Sequence, residues 1–144
     1  MKQGCAYTGP LAALVSPGDA NHQRCRAWFD SLVTRRTLIV PCIVVAEACY
    51  MIQRYGSTET EALFLEDLAA RAYGVVTNLL PDDLARMAVL VRQYANLPLG
   101  GTDASVVALA ERVGTREVVT TDRRHFTVVR DQDGSPFTLL PAVS

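Results

Sequence analysis

Three carboxylates stand where a folded chain does not usually leave a charge. Glu47 is the only charged residue in PCIVVAEACYMI, 41–52, a stretch otherwise apolar or small. A carboxylate there is costly unless it is paired or binds a metal. Asp103 opens GGTDASVVALAERVG, 100–114, and Val106, Val107 and Ala110 follow it at three, four and seven residues, which puts it on an inward helical stripe. Asp122 directly follows the strand-like EVVTT, 117–121. Each acid also has an ordinary explanation: pairing of Glu47 with an arginine, a favourable helix dipole at Asp103, an Asx turn at Asp122. Convergence of the three on one cleft points to chemistry instead. Clustered carboxylates repel one another and call for a divalent cation, and oxygen-only ligands suit Mg2+ or Mn2+. Such a cation lowers the pKa of a bound water and neutralises phosphate charge. Arg123, Arg124 and His125, next in the chain, are placed to contact a phosphate backbone.

The elements that would carry these acids can be read from the apolar pattern. Short apolar segments at 3–7, 37–41, 73–78, 117–121 and 137–141 read as strands. Helices are expected at 11–15, at 19–34 with Asp19 as N-cap, and at 42–55 after Pro41. Further helices are expected at 58–72, at 81–95 opening on Pro81-Asp82-Asp83, and at 100–114 with Thr102 as cap and Gly114 as stop. Alternating strands and helices predict a three-layer α/β domain, with a mainly parallel sheet of four or five strands and helices on both faces. In such sheets ligands bind beyond the carboxyl ends of the strands, where Asp122 falls.

Composition narrows the class. The 144 residues, 49% apolar and 20% charged, fit one domain spanning 1–144. A net charge of −1 is neutral on nucleic acid, but Lys2 is the only lysine among fourteen basic residues, and arginine forms bidentate phosphate contacts. The four cysteines form no C-x-x-C, the two histidines lie far apart, and a zinc site is not expected. Cys5, Cys42 and Cys49 read as small core residues. With no long apolar segment or signal peptide, a cytoplasmic protein with no membrane association is expected.

Four segments in order carry a family resemblance: YTGPLAALVSPGDANHQRC, VPCIVVAEACYMI, LPLGGTDASVVALAER and EVVTTDRRHF. The chain resembles the PIN-domain ribonucleases, in particular the VapC-type toxins of toxin–antitoxin pairs. The resemblance covers nearly the whole chain and implies an Mg2+-dependent endoribonuclease. In that family an aspartate ends the first strand; here Tyr7 occupies its place before Thr8-Gly9-Pro10-Leu11. A phenol is neutral near pH 7 and offers no anionic ligand.

The resemblance implies that Asp103 and the acid due at position 7 hold the metal, that Glu47 and Asp122 complete the acidic cluster, and that Thr8 and Thr121 orient carboxylates or a water. It also implies an RNA substrate, a small antitoxin protein and a homodimer. Losing a metal-binding carboxylate is expected to cost at least the ~10–100-fold that a supporting hydrogen-bond partner costs, so the enzyme is impaired in this form. Tyr7 fits either a disarmed nuclease or a non-catalytic homologue that keeps an antitoxin- or RNA-binding surface. A phospho-acceptor domain of the response-regulator kind would need an acidic pair near the first strand's end and a lysine after a later strand, and this chain has neither.

Overall fold

A computed structural model describes residues 2–6, 8–18, 20–32, 36–121 and 123–140. Tyr7, Asp19 and Asp122 lie outside the described residues, as does the side chain of Thr8. The elements run in the order β1 (Lys2–Ala6), α1 (Thr8–Val15), α2 (His22–Leu32), β2 (Arg36–Pro41), α3 (Cys42–Tyr55), α4 (Thr58–Ala69), β3 (Val75–Thr77), α5 (Pro81–Gln93), α6 (Gly101–Val113), β4 (Glu117–Val119) and β5 (Thr138–Leu140). The strands form one sheet in the order β3-β2-β1-β4-β5, with every neighbouring pair parallel. Parallel neighbours need crossovers, and helix pairs supply the first three. The connection from β4 to β5 is built instead from turns and an isolated antiparallel bridge between Arg130 and Pro136.

The predicted three-layer α/β architecture is the one observed, with all five strand segments present and shorter than expected at several ends. The strand read at 117–121 stops at Val119, although the Thr120 amide still bonds the Leu140 carbonyl at 2.8 Å. The helix read at 58–72 ends at Ala69, and the one at 81–95 ends at Gln93. Thr102 does not cap its helix. Gly100 is the N-cap, and Thr102 lies in the first turn, where its carbonyl accepts from Ser105 Oγ at 2.6 Å. Gly114 ends that helix in the left-handed conformation, φ 78°, which glycine adopts without a Cβ penalty. Cys49 is half-buried and packs against the core, Cys42 is half-buried and Cys25 buried; these three are free thiols, and the side chain of Cys5 lies outside the described residues.

The core explains why α6 matters. Every residue from Asp103 to Ala110 is buried, so this helix is enclosed all round, as its apolar sequence requires. It packs on β1, β2, β4, α3 and α5. Two ion pairs clasp its far end to α5. Arg86 grips Glu111 with two hydrogen bonds, 2.8 and 3.0 Å, and Arg112 Nε reaches the buried Asp83 at 3.0 Å. Asp83 Oδ2 also accepts from the Leu80 amide at 2.8 Å, fastening the first turn of α5. The sequence reading placed Asp83 in the opening turn of this helix, as observed, without its partner on α6. No described helix is long and apolar enough to cross a membrane.

Candidate metal and phosphodiester site

The strand order reverses between β1 and β4. From β1 the chain steps outward to β2 and β3, then crosses back to β4 and β5 on the other side. A crevice opens beyond the strand ends at such a switch point. On one side β1 stops at Ala6 and α1 starts at Thr8; on the other β4 leads through Thr120 into Thr121. The two sides touch. A Cβ added at Gly9 would collide with Thr121 Oγ1, so glycine at position 9 is what allows the α1 backbone to approach Thr121.

Asp103 enters from α6. It is the third residue of the helix, buried, with its side chain 8% exposed. A carboxylate so enclosed needs a donor, and His125 supplies one, Nδ1 lying 2.7 Å from Asp103 Oδ2. The segment after β4 presents that histidine. Phe126 and Val129 are buried and pin the segment to the core. Amides of Val128 and Val129 both bond the His125 carbonyl at 3.1 Å, and the Thr127 amide bonds the Arg123 carbonyl at 3.0 Å. Arg130 Nη1 gathers the carbonyls of Thr127, Val128 and Val129, and its amide donates to Tyr94 Oη at 3.0 Å.

Glu47 enters from α3, which packs against α6. Val44, Ala48 and Ile52 face the core, and Glu47 lies half-buried on the margin of that stripe. Among the described residues it makes no hydrogen bond or ion pair, so the arginine pairing that would have explained it away is not found there. Arg123 is half-buried and Arg124 exposed, beside position 122. Both have interaction partners of their own. The structure therefore joins Asp103 to His125, sets α3 with Glu47 against the same helix, and brings Thr121 against the start of α1. It does not assemble three metal-capable side chains among the described residues. The donor chemistry it does provide, two carboxylates without an arginine or lysine partner among those residues, suits a hard divalent ion. The Asp103–His125 pair was not legible from spacing, because twenty-two residues and a strand separate the two.

An all-parallel five-stranded sheet with an acid-bearing buried helix at its switch point puts the chain among α/β domains whose sites lie beyond the strand ends. The chain belongs to the PIN-domain family, whose pattern matches residues 8–131. Among curated proteins it is similar to Ribonuclease VapC26 of Mycobacterium tuberculosis, 31% identical over 134 residues that cover 93% of this chain and 97% of that protein. Among solved structures it is similar to M. tuberculosis VapC20, described as a sarcin-ricin loop cleaving toxin (TM-score 0.75, 16% identity, covering 83% of this chain and 90% of that one). It is also similar to VapBC2 from Rickettsia felis bound to a DNA fragment from its promoter (TM-score 0.69, 12% identity, 95% and 98% coverage). A third is FitAcB from Neisseria gonorrhoeae (TM-score 0.61, 21% identity, 85% and 90% coverage). At these identities the structural likenesses are likenesses of fold.

Proposed function

We propose that this chain is a VapC-type endoribonuclease toxin that hydrolyses RNA phosphodiesters with Mg2+ or Mn2+, impaired in this form by Tyr7. The observation that carries the reading is Asp103, a buried carboxylate at the switch-point crevice with no arginine partner among the described residues, held by a histidine from the segment that follows Thr121-Asp122. His125 occupies Oδ2 and leaves Oδ1 for a cation. Glu47 and Asp122 complete the anionic wall, and Thr121 orients a carboxylate or water by hydrogen bonding. A bound divalent ion would supply an activated water and offset the phosphate's charge. Arg123 and Arg124 extend the site toward the RNA backbone.

The similarity to VapC26 over almost the full length of both chains supports the ribonuclease reading. The VapBC and FitAB likenesses support an antitoxin partner. A cavity of about 520 Å3 lined by Ala12, Val15, Met51, Tyr55 and Thr60 is suited to an apolar antitoxin segment. Leu63 and Leu65 on α4 and Leu84, Val89 and Val91 on α5 are exposed, which fits a homodimer interface. The setting is cytoplasmic, and residues 1–144 act as one PIN domain.

The test is Tyr7→Asp. It should bring Mg2+ or Mn2+ binding, read by calorimetry, together with RNA cleavage, and Asp103→Asn should abolish both. A Tyr7→Asp protein that binds neither ion and cuts no RNA refutes the disarmed-nuclease account. Tyr7 also fits the second reading, a non-catalytic PIN-fold module that binds antitoxin or RNA, and that outcome would make it the better one.

A further inference from the structure

We propose that His125 is a positioning residue that sets the orientation of the Asp103 carboxylate, rather than a contact to the RNA phosphate. The proposal rests on the metal-dependent reading above and names the group that prepares its central ligand. A carboxylate only accepts hydrogen bonds, so the 2.7 Å contact requires the proton on His125 Nδ1. That nitrogen is thereby committed to Asp103, and only Nε2 remains for anything else. The ring is 22% exposed, which leaves a narrow face for a polyanion.

Three features make this contact more than incidental satisfaction of a polar group. The acceptor cannot turn to solvent, because it sits at the start of the buried run of α6. The donor cannot drift, because Phe126 and Val129 anchor the segment and Arg130 ties three of its carbonyls. The bond also fixes which oxygen is taken, Oδ2, and therefore which is presented, Oδ1. Metal-binding carboxylates and histidines are commonly held by such partners, whose loss typically costs ~10–100-fold in metal affinity or activity.

Two measurements test it. In the unmodified chain, nitrogen-15 NMR of the imidazole should show a proton on His125 Nδ1 hydrogen-bonded to Asp103, and Asp103→Ala should release the ring to the Nε2–H form that free neutral histidine prefers. In the Tyr7→Asp protein, Mn2+ affinity read by electron paramagnetic resonance should fall roughly 10–100-fold on His125→Ala. It should return to within a few-fold on His125→Asn, whose amide nitrogen stands near the place of Nδ1. A residue that merely supports the fold would lower stability in both variants and would not produce that recovery. An Nε2–H imidazole in the unmodified chain, unchanged Mn2+ affinity in His125→Ala, or no recovery in His125→Asn overturns the proposal while leaving the metal reading intact. Tyr7→Asp that binds no Mn2+ with the Nδ1–H form present overturns the metal reading and leaves the clamp supported.

Discussion

Gly9→Ala is the sharpest probe of how the first corner is fitted to the end of β4. Helix propensity alone predicts that this change stabilises, since alanine outscores glycine in a helix by roughly 0.5–1 kcal/mol, and Gly9 is the second residue of α1. The structure predicts the opposite sign. The new methyl would collide with Thr121 Oγ1, whereas Thr121 Cβ at 3.5 Å and its amide nitrogen at 3.8 Å are ordinary contacts. Overpacking of this kind costs about 1–3 kcal/mol, so the net effect is a loss of about 1 kcal/mol. Removing the one colliding atom with Thr121→Ala should relieve the clash, and Gly9→Ala/Thr121→Ala should be more stable than the two single changes predict by about 1–3 kcal/mol. Urea unfolding followed by circular dichroism reads this out. With a slope of roughly 1–3 kcal/mol/M, the midpoint of Gly9→Ala falls by about half a molar. A Gly9→Ala protein as stable as its parent, or a cycle additive to within ~0.3–0.5 kcal/mol, would refute the packing argument.

Asp83→Ala removes the partner of Arg112 and the acceptor of the Leu80 amide together; because Arg112 is about one-third exposed, a loss near the lower end of the ~3–5 kcal/mol typical of a broken buried pair is expected in urea unfolding. Asp83→Asn, which keeps an acceptor for Leu80, should lose clearly less, and equal losses would count against the helix-start bond. Burial, reinforced by a 2.7 Å hydrogen bond to Asp67, pushes the Tyr73 phenol up to about 12. The folded chain therefore holds that proton more tightly than the unfolded chain, whose phenol titrates near 10, so the stabilisation is full below pH ~10 and is lost as pH climbs toward ~12. Tyr73→Phe should flatten the stability profile in that window, and an unchanged slope would sink the assignment.

Much of the architecture was legible because periodicity and punctuation agreed. Pro41 and Pro81 mark helix starts and Gly114 a helix end, and the apolar runs between them are too short for anything but strands. The ends were less legible. Thr102 has the chemistry of a cap, but the chain enters α6 two residues earlier, with Gly100 in extended conformation as the N-cap and no side-chain cap bond. Three acids in unusual surroundings pointed to the switch-point crevice, where the structure places Asp103. The internal wiring of the site was not legible. The commitment of His125 to Asp103 depends on the turn that follows β4, and that turn is set by the burial of Phe126 and Val129, a tertiary effect that local pattern does not encode. Asp83 was legible as a first-turn residue, but its partner Arg112 was not, because that residue lies on another helix. Tyr7 and Asp122 keep the standing that the family resemblance gives them.

The sheet order has a consequence for how the chain comes into being. β1 precedes the other four strands and is the central one, and its register partners run from Arg36 in β2 to Val118 and Val119 in β4. The contact between β1 and β4 spans more than three-quarters of the chain, the kind of non-local pairing that slows folding because a long loop must be ordered before it is rewarded. During synthesis β1 can pair with β2 early, but its other edge waits until β4 has left the ribosome. The crevice lies at that late junction, so Gly9 meets Thr121, and Asp103 meets His125, only once the residues up to His125 have been made. A chain that stops short of β4 carries Glu47 and Asp103 without the segment that brings Thr121 to Gly9 and His125 to Asp103.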